Sequence, residues 1–348
     1  MAAAPATEEA IKFIHFSPGS CHHQLQCPLF SVIPAEIRDR IFSYTLAEYE
    51  DESNPYDHET CYRRPDYLAP RHSDTALLRT CQRVYIEAWF RPWTSAEHTL
   101  WLTWAVRCPR RVTTVAKIQS SLTLLYGFHG DIQLDHVRVF AQLCNLDQLS
   151  CILDLQNFHP RCMTIAFRHT DWWDWEFDDP LRIEGGWVDR CRFPESLREL
   201  RIELESLERK KEQVDSVAAQ MIEKWQFQRR DGVLMSAKDS PVAIMRWSGS
   251  STWEGQRWIR DETRPDTLEY YVCTVAYRPS KVHGVAADQN IANGSPASLD
   301  LFTLPGAQVF TWPASLRVTD LRAANVQPGA SAQDALMRLA QWETEQTE

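Results

Sequence analysis

LRELRIELESLERKKEQVDSVAAQMIEKWQF, residues Leu197 to Phe227, carries two hydrophobic periods in succession. In the first half Leu200, Ile202 and Leu204 alternate with charged residues, and Leu197 precedes them. A period of two places alternate side chains on one side of a strand, so this side faces a core. In the second half, from about Glu205 to Phe227, the apolar residues are Val214, Val217, Ala218, Met221, Ile222 and Trp225. Their spacing of three to four is that of an amphipathic helix. A strand feeding a one-sided helix predicts helices packed on a sheet.

Working outward, three strand-like runs follow: Val242 to Trp247, Thr252 to Ile259 and Leu268 to Tyr277, with Gly249 read as the turn between the first two. Upstream, His98 to Trp104 reads as a strand and Val112 to Leu125 as a helix. Val137 to Phe140, Leu149 to Leu155 and Cys162 to Phe167 read as buried strands or strand–helix units. Residues 281 to 300 read as a linker or loop. Residues 301 to 348 read as a C-terminal extension, with a strand-like Ala307 to Thr311 and a helix over Ala332 to Glu343. The order predicts an α/β domain over 96–280 within an α+β chain: a helical N-terminal layer, then a mixed sheet with packed helices.

Composition narrows the function classes. With 37 basic and 47 acidic side chains the formal charge is −10. That balance disfavours a general nucleic-acid or anionic-membrane binder, so neither is expected as a partner. Arg107, Arg110 and Arg111, and Arg209, Lys210 and Lys211, are the best local basic candidates, and both read as solvated faces. No run of about eighteen apolar residues is present, and the N-terminus lacks a basic segment followed by an apolar one. The expected location is intracellular, cytoplasmic or nuclear. Ten scattered cysteines without a Cys-x-x-Cys pair fit free thiols in a reducing compartment.

Residues 1 to 26 read as flexible and 27 to 95 as a helical segment. In LFSVIPAEIRDRIFSYTL (Leu29 to Leu46) a helix is expected from Pro34, since proline suits the first helical turn. Ile33, Ile37 and Ile41 recur every fourth residue, with Leu46 completing the stripe. In ALLRTCQRVYIEA (Ala76 to Ala88) residues Leu77, Leu78, Cys81, Val84, Tyr85 and Ala88 form a continuous helical face, capped by Ser73 or Asp74. The charged, proline-containing stretch 47–73 between them reads as a long loop.

These two segments together resemble the F-box-like proteins of filamentous fungi, through LPxEIRxxIxxxxL and ALLRTCRQVYxEA patterns. FRHTDWWDWE (Phe167 to Glu176), LRELRIELESLERKKEQVD and WSGSSTWEGQRW (Trp247 to Trp258) resemble one branch of that family, so the resemblance spans roughly residues 29 to 280. It departs in the loop of nearly thirty residues between the helices and in Tyr85, where a tryptophan is common. The resemblance implies an F-box-like substrate adaptor of a cullin-RING ubiquitin ligase. Ile33, Pro34, Ile37, Ile41 and Leu46 would contact a Skp-type adaptor, and the α/β region would hold an unknown target.

The alternative is a self-contained α/β ligand-binding or enzymatic domain with the helices as a structural layer. Its site would use Trp173, Trp175, Trp247 and Trp253, since aromatic faces beside the carboxylates of 171–179 can hold sugars or cations. If that stretch is extended, Trp173 and Trp175 share one side and Trp172 faces the other. No catalytic constellation, phosphate loop or metal-ligand spacing is present. His22 and His23 with Cys21 and Cys27 lack a second ligand pair, so neither cofactor nor metal is expected. The two readings differ on one point, whether the Ile37/Ile41 stripe is exposed or buried.

Overall fold

A computed structural model describes residues 21–280 and 313–347, which form two compact units. The readings of Ala307 to Thr311 as a strand, of most of the N-terminal tail and of the 281–300 linker lie outside the described residues. The smaller unit contains residues up to 49 and 73–95. Its helices are α1 (Pro28–Ser31) and α2 (Ala35–Thr45). The chain then passes through a two-stranded ribbon, β1 (Glu48–Glu50) with β2 (Arg71–Ser73), before α3 (Gln82–Ala88) and α4 (Arg91–Ser95).

Pro34 sits one residue before α2, in extended backbone. The second helix of the sequence reading is broken. Ala76–Arg79 is a 3-10 turn, and Cys81 is extended just before α3. The Asp74 carboxylate accepts from the Ala76 N–H at 2.8 Å and starts that turn. The unit's core is Phe30, Phe42, Leu46, Val84 and Ala88. Arg38 lies over it, its guanidinium 5.4 Å from the Phe30 ring and bonded to Glu87 at 2.9 and 3.2 Å.

The larger unit begins with the 50–72 stretch and resumes at residue 96. In chain order it contains β3 (Glu97–Leu102), α5 (Val115–His129), β4 (Leu134–Ala141), α6 (Leu149–Leu153), β5 (Pro160–Phe167), α7 (Gly186–Arg190), β6 (Arg192–Phe193), β7 (Glu199–Leu207) and α8 (Lys211–Lys224). There follow β8 (Phe227–Arg229), β9 (Leu234–Ser236), β10 (Ala243–Ser250), β11 (Thr252–Trp253), β12 (Gln256–Arg257), β13 (Thr267–Pro279), β14 (Leu316–Arg317), α9 (Val318–Ala323) and α10 (Ala332–Thr347).

Strands β3, β4, β5 and β7 run parallel in that spatial order. The long β13 closes the row antiparallel to β7, and β10 pairs with the other side of β13. The far end of β13 continues into β9, β8 and β6. The expected α+β class with a mixed sheet is thus realised.

The β7 reading holds, and Leu197, Leu200, Ile202 and Leu204 are all fully buried. The strand runs three residues further than the period suggested, because Glu205, Ser206 and Leu207 keep pairing with β13, so α8 starts only at Lys211. Val139, Ile165, Ile202 and Val275 share one face of the sheet with Ile118 and Leu122 of α5 and Val217 and Met221 of α8 in one core. The Tyr277 hydroxyl donates to the Met221 carbonyl at 3.1 Å and ties β13 to α8.

The opposite face carries His136, Arg138, Phe140, Thr164, Ala166, Glu203 and Glu205. The 50–72 stretch, a loop for most of its length as its charge and prolines predict, packs over them. Tyr67 packs with Phe140 and Ala166, and Tyr56 stacks on Tyr67 at 5.5 Å. Gly249 is not a turn. It lies within β10, where a Cβ would come 2.6 Å from the Trp247 ring and 3.0 Å from Tyr270, so the stacked pair needs a glycine there. The expected strand Thr252 to Ile259 is itself broken by a turn at Glu254–Gly255, both with positive φ, which joins β11 to β12.

Candidate functional site

In the helical unit the stripe divides. Ile37 is 47% exposed, Val32 75% and Tyr44 76%. Pro34 is exposed, and Ile33 and Ile41 are half-buried. At about 100° per residue Ile37, Ile41 and Tyr44 fall on one side of α2, whereas Leu46, nine positions past Ile37, falls opposite; Ile33 precedes the helix, before the extended Pro34. Leu46 is accordingly in the core with Phe42 and is not on the outward face. Tyr44, absent from the sequence-based set, joins that face through i, i+7 spacing.

In the sheet unit the tryptophans separate differently from the extended reading. Residues 168–178 do not form one extended run. His169–Asp171 and Trp175–Phe177 are 3-10 turns, and Asp174 and Asp178 are left-handed. Trp172 is buried and its indole N–H donates to the Glu205 carbonyl at 2.8 Å. Trp175 is buried against Trp258 at 4.4 Å and Trp253 at 6.2 Å. Trp173 is 38% exposed and lines a separate concavity of about 270 Å³ with Glu184 and Arg190. Trp247 stacks on Tyr270 at 4.1 Å and lines, with Trp253, a cavity of about 30 Å³. Three of the four expected tryptophans therefore lie around one region, and Trp173 does not.

The acidic run and the basic patches turn out to be each other's partners. Asp178 accepts from Arg209 at 2.7 and 3.0 Å and pairs with Lys210 at 2.8 Å. Asp174 pairs with Arg182 at 2.8 Å and Glu176 with Arg107 at 3.2 Å. Among the described residues no group of three or more His, Cys, Asp or Glu is placed to hold a metal ion.

The face beneath the 50–72 stretch is a chain of buried charges. Glu97 meets His136 at 2.6 Å and Arg138 at 2.8 Å. Arg138 reaches Glu203 at 3.3 Å, which Arg64 meets at 2.6 Å. Arg64 also approaches Glu205 at 3.4 Å. Beside them Arg168 and Asp171 form a fully buried bidentate pair at 2.8 and 3.0 Å. Sequence reasoning missed this array, although the charged alternate positions of β7 were its visible trace.

Burial raises the Glu97 carboxyl, but the His136 hydrogen bond and the Arg138 charge outweigh it and hold the group down to about 2. Burial likewise opposes ionisation of Glu203, and Arg64 and Arg138 outweigh it. Glu205 goes the other way: burial and its neighbour Glu203 raise it despite Arg64. Burial pushes His169 down to about 3, Cys61 up to about 11 and Tyr270 well up. The thiol, phenol and imidazole around the small cavity are thus kept neutral, and no activated nucleophile results.

A pH dependence follows from Glu97. Its depressed pKa supplies stability that is present above about 4.5 and lost as pH falls toward about 2. Glu97→Gln should flatten urea-midpoint measurements across that acid interval, removing on the order of 3 kcal/mol of pH-dependent stability.

The concavities near Arg64, Cys61 and Trp173 hold about 130, 30 and 270 Å³. All fall below the roughly 300–1,000 Å³ of ordinary small-molecule sites. No helix among the described residues is long and apolar enough to cross a membrane. No protein-family model matches the chain, and neither a curated protein nor a solved structure matches it.

Proposed function

We propose that this chain is a non-enzymatic protein-interaction module. In this reading α2 docks a Skp-type adaptor in the manner of F-box-like proteins of cullin-RING ubiquitin ligases, and the sheet unit holds a target protein. The observation that carries the reading is the exposure of Ile37 on a helix whose opposite face already fills its unit's core. Packing does not consume this side chain, and with Val32, Pro34 and Tyr44 it forms an apolar edge of the kind that helix-in-groove recognition uses. The neutral state of the buried thiol and imidazole, and the small cavities, favour binding over chemistry in the sheet unit.

The test is recovery of a purified Skp-type adaptor by the full chain. The double variant Ile37→Asp with Ile41→Asp should abolish recovery. Ile37→Asp alone should leave the melting temperature within about 2 °C, since exposed substitutions rarely cost more than about 0.5 kcal/mol. Recovery undiminished in the double variant would sink the adaptor reading. A collapse of stability in Ile37→Asp would instead favour a structural role for the helix.

A further inference from the structure

We propose that the cavity lined by His169, Glu205, Trp247, Trp253 and Tyr270 binds a single primary ammonium group, such as a lysine side chain carries. The site lies wholly in the sheet unit and does not depend on the α2 surface.

Three observations point there. First, the cavity holds about 30 Å³, room for a water-sized group. An ammonium head is that size, whereas a guanidinium or a trimethylammonium is not. Second, two polar groups are left short of partners. His169 is 3% exposed and neither of its ring nitrogens has a hydrogen-bond partner. The Glu205 carboxylate is met at 3.4 Å by the backbone N–H of His169, 3.3 Å by the Trp247 indole N–H and 3.4 Å by Arg64. These contacts are long beside the roughly 2.7–2.9 Å of a good charge-assisted bond. An ammonium has three donors, enough to serve the carboxylate and one imidazole nitrogen together. Third, Trp247, Trp253 and Tyr270 form part of the wall, beside polar side chains such as Thr60 and Ser250, and indole and phenol rings attract a desolvated cation.

Two arginines also line the cavity. Arg168 is committed to Asp171 on both sides of its fork, so its charge is already balanced. Arg63 has a buried Nε without a hydrogen-bond partner, which makes an anion the rival occupant. The Glu205 carboxyl in the same wall, whose Arg64 contact is 3.4 Å long, favours the cation. Exposed His58 at the rim leaves an approach from solvent.

The probe is n-butylammonium chloride, titrated into the ¹⁵N-labelled full chain while the indole resonances of Trp247 and Trp253 are followed. Saturable millimolar binding is expected, weakened at least tenfold in Glu205→Gln. His169→Phe keeps the ring volume and removes the acceptor, so it serves as a second variant should Glu205→Gln fold poorly, and it should weaken binding about fivefold. Competition by a blocked tripeptide with a central lysine would show that the site accepts a polypeptide side chain. Failure to compete with butylammonium still saturating would restrict it to free alkylamines, with the ammonium assignment standing. Absence of saturation, equal binding of tetramethylammonium, indole shifts with acetate instead, or full retention in both variants would overturn the proposal.

Discussion

Asp171→Ala should lower the stability of the sheet unit by about 3–5 kcal/mol, because it strands a buried guanidinium. Arg168 bonds both Asp171 oxygens, donates to the Arg107 carbonyl at 3.0 Å and lies over Trp101 at 5.1 Å. Both charged ends are shut off from solvent. Asp171 also accepts from the backbone N–H of Arg168 at 2.9 Å, so the same carboxylate sets the turn that delivers Trp172 and Trp175. Asp171→Asn should cost less, since it keeps one acceptor. The double variant Arg168→Met with Asp171→Leu should recover much of the loss, as buried pairs replaced whole by apolar groups often do. Urea denaturation of the three variants checks the order. A double variant less stable than Asp171→Ala would show that packing rather than the uncompensated charge dominates.

Arg64→Ala should cost about 3 kcal/mol by the same mechanism, tempered because Arg138 still reaches Glu203. It leaves Glu203 and Glu205 side by side under the 50–72 stretch with one cation fewer. The depressed Glu203 pKa contributes stability that is present above its unfolded value and lost at lower pH, so the variant should also show a flatter acid limb. Loosening of the cover should appear as faster tryptic cleavage after Arg63. Adding Glu203→Gln and Glu205→Gln should restore most of the stability, because the carboxylates no longer need a counter-charge. Unchanged cleavage with lowered stability would mean that Tyr56 and Tyr67 alone hold the stretch in place.

The contrast between β7 and the 50–72 stretch shows what patterning conveys. Leu200, Ile202 and Leu204 announce a strand because one side of it meets a continuous apolar layer, and the period records that burial. Tyr56, Arg64 and Tyr67 have no period, since their stretch is neither helix nor strand for most of its length. It is held by aromatic stacking and by ion pairs to residues more than a hundred positions away. Charge composition marks it as a loop, and what composition does not record is its packing on the sheet. The 168–178 turns failed for a related reason: the turn at His169–Asp171 and the left-handed Asp174 between Trp173 and Trp175 re-aim the tryptophans, and an extended reading assigns the wrong sides.

By itself the sequence determined the class of the fold and its main elements: a helical N-terminal segment and strands with helices packed on them. Those follow from local hydrophobic periods, which need no knowledge of partners. It also placed Ile37 and Ile41 on one side of a helix. Only the tertiary structure decided that Leu46 belongs to the core, that Trp173 stands apart from Trp175, Trp247 and Trp253, and that the second sheet face carries a buried charge array. The physical reason is the same in each case. Burial and electrostatic pairing depend on which distant segment lies opposite, and neither spacing nor composition records that.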